Sequence, residues 1–477
     1  MNHQRKPREA TIDPVLRMVR SAVFAMAWIA VAIPVSASAQ SSGGSTPCRI
    51  ESTTFEGWWA EQLSNRWVKL TIVPQLGGRL MQVTFDSHPY LFVNPKYKGQ
   101  YFPPAEGADK GRWFNYGGDK IWPMPEGRQD EHHWPGPISD MLDDGTYVLK
   151  RLSESPRCTV RLDGPPDPKT GLQYSREISI GSDSPEIKFH AIMKNSSGHP
   201  IQWSMQSVTQ YDTNDPQNPD SYNREFWAFT PANPHSKYLD RYHVRSGLAD
   251  DPSYSVKDDL FRLHWLPIQN EVWLDSTGGW LAVVNSMAHY AMVERFQYHA
   301  GAEYPGEATV IFYKNGAALG LDDQGNPRLN SSDPDDPLRY MEAEINSPIV
   351  KLEPGASYSM DTDWFPVRMG NELSAVTTAG VMGTPFKATQ SVQGILLTGS
   401  CGVFVPGTLE ARLYDNRGEK IAVVPLQKVS PEDSVDLHQE IKAPRTTVRA
   451  SIHLIDRQGN DRGPLGDAKV TPMDRSS

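Results

Sequence analysis

Val68-Lys69-Leu70-Thr71-Ile72, Val73-Pro74-Gln75-Leu76-Gly77-Gly78-Arg79-Leu80 and Met81-Gln82-Val83-Thr84-Phe85 follow one another without a gap. Val68, Leu70 and Ile72 alternate with Lys69 and Thr71; Met81, Val83 and Phe85 alternate with Gln82 and Thr84. Successive side chains of a strand point to opposite faces, so this period of two predicts two half-buried strands. Between them Pro74 ends one strand, and Gly77-Gly78 allow a tight turn into the next. β-Branched and aromatic residues on the inner faces decide for β-structure.

The same reading extends outward. Ile187, Phe189, Ala191 and Met193 share a face against Lys188 and His190. The separators are rich in Gly, Pro, Asn and Asp, as in Asp163-Gly164-Pro165-Pro166-Asp167-Pro168. With 39 Pro and 37 Gly, long helices have little room. Many short strands at near-regular spacing point to sandwiches. Within 371–390 the run Thr377-Thr378-Ala379-Gly380-Val381-Met382-Gly383-Thr384-Pro385 is small, polar and linker-like. Beyond it, Leu413-Tyr414-Asp415-Asn416-Arg417-Gly418 is echoed by Leu454-Ile455-Asp456-Arg457-Gln458-Gly459, each placing Asp and Gly where a hairpin turn wants them. The tail, 391–472, is the size of one small domain, and an immunoglobulin-like sandwich is expected there.

The N-terminus reads as an export signal. Arg5, Lys6, Arg8, Arg17 and Arg20 precede an apolar run from Ala22 to Ile33, and Ala37-Ser38-Ala39 supplies a peptidase site. The run is shorter than the ~20 apolar residues of a spanning helix. Residues 1–39 are therefore expected to be a signal peptide and 40–49 a linker, with the mature chain periplasmic or extracellular and not inserted in a membrane. The formal charge of −10 becomes about −13 once the five basic and two acidic side chains of 1–39 are gone. That balance disfavours nucleic acid and anionic membranes. The three cysteines, Cys48, Cys158 and Cys401, allow at most one bridge, and nothing in the sequence chooses the pair. No Cys/His spacing resembles a zinc site, and there is no phosphate- or dinucleotide-binding Gly loop, so neither metal nor cofactor is expected. The acidic clusters Asp212-Thr213-Asn214-Asp215 and Asp333-Pro334-Asp335-Asp336 follow no recognised calcium-ligand spacing.

Five segments could carry chemistry. Arg79 sits beside the Gly77-Gly78 turn. Trp113-Phe114-Asn115-Tyr116-Gly117-Gly118-Asp119-Lys120-Ile121-Trp122-Pro123-Met124-Pro125, with Glu131-His132-His133-Trp134-Pro135-Gly136-Pro137 behind it, reads as neither strand nor helix and mixes flat aromatics with hydrogen-bonding side chains. Sugars need that mixture: aromatic faces for C–H patches and fixed polar groups for hydroxyls. On a strand, Gln206, Val208 and Gln210 share a face, and the two amides could read hydroxyls. Glu342 and Glu344, two apart, would also share a face, and two close carboxylates push one pKa upward, as a general acid or base requires. Glu303-Tyr304-Pro305-Gly306-Glu307 adds Tyr304 and a further carboxylate beside a turn.

The order of these motifs resembles galactose-mutarotase-like proteins and, more narrowly, the bacterial domain-of-unknown-function family numbered 4380. The specific part is Asn115-Tyr116-Gly117-Gly118-Asp119-Lys120-Ile121-Trp122-Pro123; Pro74-Gln75-Leu76-Gly77-Gly78 and Tyr340-Met341-Glu342-Ala343-Glu344, ahead of Leu352-Glu353-Pro354-Gly355, complete it. The resemblance covers 50–370 and implies a large β-supersandwich with a carbohydrate cleft. It also implies that Glu342 or Glu344 stands where aldose epimerases keep the base. The histidine acid of those enzymes is missing: the two corresponding places read Lys120-Ile121-Trp122-Pro123 and Gln206 or Gln210, leaving His132 or His133 as substitutes.

The expectation is thus an all-β chain, a galactose-mutarotase-like β-supersandwich followed by a small immunoglobulin-like β-sandwich. It would be an exported protein that binds a small or oligomeric carbohydrate through Arg79, Asn115, Lys120, Trp122, Trp134, Gln206, Gln210 and Tyr304. The alternatives are an aldose 1-epimerase-like enzyme with a Glu342 or Glu344 base and a His132 or His133 acid, and a structural module of the periplasm.

Overall fold

A computed structural model describes residues 47–104, 113–127, 132–138, 140–316, 318–321, 327–329, 339–370 and 373–473. The expected signal peptide 1–39 and the acidic cluster at 333–336 lie outside the described residues. Of the expected linker 40–49, the described part ends in Arg49, where a strand begins.

The hairpin that opened the argument forms. Val68–Val73 and Arg79–Phe85 pair antiparallel, and both central turn glycines take positive φ, +61° at Gly77 and +65° at Gly78. A Cβ on Gly77 would lie 1.9 Å from the Asp143 carbonyl oxygen. Gly77 is thus required where a second segment closes on the turn, which its N–H also contacts, donating to the Gly145 carbonyl at 3.1 Å.

Among the described residues the regular secondary structure is nearly all strand. Twelve strands make one sheet, whose central order is Arg79–Phe85, Asp119–Met124, Ile201–Asp212, Tyr340–Asn346, Val310–Asn315, Asn270–Leu274, His243–Gly247. Ten make a second sheet, with Ser357–Arg368 and Ile187–Asn195 at its middle. The inner faces of both enclose one apolar core that includes Leu70, Ile72, Val83, Val160, Ile178, Phe189 and Trp364. Burying that apolar face is the main force holding the sheets together. One disulfide, Cys48–Cys158, links a residue leading into the first sheet to the first residue of a strand in the second, with Cα atoms 5.8 Å apart; Cys401 is free and buried.

A buried polar group interrupts this core. Asp119 pairs with Arg176 and accepts the Thr209 hydroxyl at 3.0 Å, while Tyr211 donates to Glu294 at 2.6 Å. Asp119 points inward, so its neighbours Lys120 and Trp122 have the opposite face of the sheet and of the strand Asp119–Met124 to occupy.

The tail has the immunoglobulin-like order. Lys387–Gln390, Ile395–Val403 and Val435–Ile441 form one layer, and Lys420–Val429, Gly407–Tyr414, Arg449–Asp456 and Asp461–Thr471 the other. The last strand joins the first by parallel pairing. The echoed segments are its hairpin turns: Asp415 accepts from the N–H groups of Arg417 and Glu419, and Asp456 from those of Gln458 and Asn460. The stretch 371–390, linker-like in composition, carries the short strands Ala375–Val376 and Gly380–Met382 and the first strand of the sandwich, Lys387–Gln390. Small residues there allow close approach: a Cβ on Gly380 would meet the Gly402 carbonyl oxygen at 2.0 Å.

Candidate functional site

The outer face of the twelve-stranded sheet is built by register. Trp122 lies opposite Gln206, and Lys120 opposite Val208. Val208 lies opposite Glu344 and Gln210 opposite Glu342. Glu342 then faces Tyr313, and Glu344 faces Ile311. Tyr313 in turn faces Glu271, and Ile311 faces Trp273. Directly opposite residues of an antiparallel pair share a face. Five strands therefore converge these side chains on one cleft of about 470 Å³, lined among others by Trp113, Trp122, Gln206, Glu271, Trp273, Tyr313, Glu342 and Glu344.

The floor is held by ions. Lys120 donates from Nζ to Glu342 Oε1 at 3.0 Å, and Gln210 Nε2 donates to the same oxygen at 2.7 Å. The Lys120 ammonium also lies 4.5 Å from the centre of the Trp122 ring. Burial pulls Lys120 below the usual lysine range, and Glu342 works against that pull. Gln206 Nε2 donates to Glu344 Oε2. Burial, then repulsion from Glu342, Glu271 and Glu126, holds Glu344 well above the usual carboxylate range. Glu342 and Glu344 are 6% and 7% exposed, so each is nearly enclosed yet lines the cleft.

Behind the floor, Asp143 orients the aromatic wall. Its Oδ1 accepts from Trp122 Nε1 at 2.7 Å and from Arg79 at 2.8 Å, and its Oδ2 accepts from Trp113 Nε1 at 3.0 Å. Asp143 sits in the helical turn Met141–Asp144, capped by Asp140, whose side chain accepts the Leu142 N–H at 2.8 Å. Asp140 also accepts from Trp134 Nε1 at 3.1 Å, and the Trp134 ring backs Trp122 at 5.3 Å. Burial, followed by repulsion from Asp143, raises Asp144 to about 9.

The residues singled out from sequence divide accordingly. Trp122, Gln206, Glu342 and Glu344 line the cleft, and Lys120 and Gln210 hold its floor. Arg79 and Trp134 are fully buried behind the wall and act on it through Asp143 and Trp122. Asn115 does not line the cleft; its side chain accepts the Gly117 N–H at 3.2 Å in the turn leading to Asp119. Tyr304 is elsewhere too, its hydroxyl accepting the His299 N–H at 2.9 Å beside the Pro305–Glu307 turn. Neither His132 nor His133 lines the cleft: His132 is exposed, and the His133 ring lies against Gly127 at its edge, where a Cβ would come within 3.4 Å.

Glu126, Glu271, Trp273 and Tyr313 also line the cleft, and no sequence motif singles them out. Glu271 and Trp273 alternate with Asn270, Val272 and Leu274, so the period-two signal was present in that strand. Glu126 is exposed as a residue, but its carboxyl turns in beside Gly136, where a Cβ would meet it at 2.9 Å. Partial withdrawal from water, then repulsion from Glu271 and Glu342, raises it to about 7. Among the described residues no group of three or more His, Cys, Asp or Glu is placed to hold a metal ion. No helix of the described residues is long and apolar enough to cross a membrane.

Several solved structures align with the chain. A galactose mutarotase-like protein from Clostridium acetobutylicum is 11% identical over 68% of this chain and 99% of that one, with a TM-score of 0.42. A putative mutarotase from Salmonella typhimurium is 11% identical over 68% of this chain and 97% of that one, with a TM-score of 0.43. A TPR-domain containing protein from Parabacteroides distasonis is 13% identical over 67% of this chain, with a TM-score of 0.42, and this chain spans about half (48%) of its length. No family model and no curated protein matches, so the narrower resemblance to the family numbered 4380 has no such match behind it.

Proposed function

We propose that the chain is an exported, mutarotase-like protein that binds a carbohydrate in the cleft of its twelve-stranded sheet. The observation that carries this reading is the convergence, on one face, of flat rings and anchored polar groups. Trp122, Trp273 and Tyr313 line the cleft, and flat rings of this kind suit the C–H side of a pyranose. Glu342, Glu344 and Gln206 offer acceptors and an amide already held by partners, so little side-chain freedom is lost when a hydroxyl docks. Titration calorimetry against a panel of mono- and oligosaccharides tests it. Binding by the native chain, weakened about tenfold or more (roughly 1.4 kcal/mol) by Trp122→Ala, is the expected result. No heat with any sugar sinks the proposal.

A second reading, a carbohydrate-active enzyme, is favoured by one observation. Glu126, raised to about 7, and Glu342 line the same cleft, which supplies an acid and a base without a histidine. Proton exchange at the anomeric centre, followed by NMR, tests it. A rate that survives both Glu126→Gln and Glu342→Gln removes this reading and leaves binding alone.

A further inference from the structure

Four carboxylates line the cleft: Glu126, Glu271, Glu342 and Glu344. Their partners are unequal. Glu271 accepts from the Trp273 indole and from the Ser246 hydroxyl at 3.3 Å. Among the described residues, Glu342 is held by Lys120 and Gln210 through Oε1, and Glu344 by Gln206 through Oε2. Among the described residues the Glu126 carboxyl has no hydrogen-bond or ion-pair partner.

Among the described residues, cations do not balance them. Lys120 lies beneath Glu342, 2% exposed, and is consumed by that pair. Arg245 is the cation among the lining residues; it is exposed at the rim, 5.5 Å from the centre of the Trp273 ring. A neutral ligand would leave Glu344 either protonated or without a cation in a nearly enclosed place, and an anionic ligand would add repulsion. A ligand ammonium brings three donors and one charge to the free carboxylate oxygens.

Resting on the carbohydrate reading above, we infer that the sugar taken by this cleft carries a free amino group, its ammonium held between Glu344 and Glu126. Uronates and other anionic sugars are excluded by the same charges. The groups facing this ammonium are Glu344 from the Tyr340–Asn346 strand, Glu126 from the loop after Asp119–Met124, and Glu271 from Asn270–Leu274. Among the described residues, Glu342 with its Lys120 partner, Tyr313, rim Arg245, and His133 behind Gly127 are the other charged or titratable groups around it. Binding requires ionised carboxylates that are otherwise partly protonated, so affinity rises from pH 5 to pH 7 and protons are released on binding.

The experiment is calorimetry of the whole chain with free hexosamines, their N-acetylated counterparts, the parent hexoses and the hexuronates, each at pH 5 and pH 7 and in two buffers of different ionisation enthalpy. The expected result is at least tenfold tighter binding of a free hexosamine than of its N-acetylated form, with proton release, and a narrower ratio in both Glu126→Gln and Glu344→Gln. Equal affinity for amine and acetamide, or tighter uronate binding, overturns the inference and leaves the carbohydrate reading standing. Silence across the whole panel overturns both.

Discussion

Lys120 is where single-residue chemistry is most concentrated. It is a buried cation with one carboxylate partner, flanked by two indole rings at 4.5 and 5.8 Å. Replacing it by Met leaves the nearly enclosed Glu342 carboxyl without its cation and with the Gln210 amide as its remaining partner among the described residues. Breaking such a pair from one side costs about 3–5 kcal/mol. Urea denaturation of Lys120→Met should show that loss, and the double variant with Glu342→Gln should recover most of it. Equal stability of the single and double variants would mean the pair is not coupled. Glu294 makes the opposite kind of prediction. Burial raises its carboxyl to about 8 in the fold, above the ~4.3 of an unfolded chain. A carboxyl displaced upward binds its proton more tightly when folded. Its contribution is therefore complete below about pH 4 and is lost as pH rises toward 8, at about 1.4 kcal/mol per unit of displacement. Glu294→Gln should flatten the fall in stability between pH 5 and pH 8; an unchanged slope counts against this assignment.

At the scale of the element, strand alternation explains most of the site. In Asp119–Met124, Asp119 faces the Arg176 side of the sheet, and Lys120, Trp122 and Met124 face the cleft. Tyr340–Asn346 is buried throughout, with Met341, Ala343 and Ile345 in the core and Glu342 and Glu344 on the cleft side. That is why the paired glutamates were legible from their spacing alone. The turn Met141–Asp144 was not legible: four residues carry no periodicity, and the role of Asp143 exists only because Trp113, Trp122 and Arg79 come to it from three other segments. Asp143→Asn should keep the chain folded but unsettle the wall. Tryptophan fluorescence should shift, and sugar affinity should fall by a factor of several, since an amide accepts at one atom where the carboxylate accepts at two. An unaltered spectrum would show that the indoles are placed without it.

For the whole molecule, two cross-connections matter. The Cys48–Cys158 bridge closes a loop of 110 residues between the two large sheets. Constraining a loop of that length in the unfolded chain is worth about 4–5 kcal/mol in the chain-entropy account. Reduction under denaturing titration should lower stability by an amount of that order, and a Cys48→Ser, Cys158→Ser variant should no longer respond to reductant. The second connection is apolar. Phe365, Val367 and Met369 of the large unit share a buried cluster with Leu373, Val381 and Phe404, and the Phe365 and Phe404 rings stack at 4.5 Å. Phe404→Ala should cost about 3–5 kcal/mol, read from the melting of the whole chain. A loss confined to the tail would show that the sandwich melts on its own.

The sequence by itself determined the class of structure and the face on which each strand residue stands. Both follow from the geometry of a single extended chain, in which neighbouring Cβ atoms point apart. It therefore placed Gln206 with Gln210 and Glu342 with Glu344; Asp119–Met124, which reads as neither strand nor helix, is a strand because it pairs with Ile201–Asp212, and that pairing puts Lys120 and Trp122 on one face. Only the tertiary structure decided which strands are neighbours, because pairing joins residues such as Lys120 and Glu342 that lie 222 positions apart. That pairing buried Arg79 behind the wall and sent Asn115 and Tyr304 to structural turns. It also left His132 and His133 outside the cleft, brought in Glu126 and Glu271, and chose Cys158 over Cys401 as the partner of Cys48.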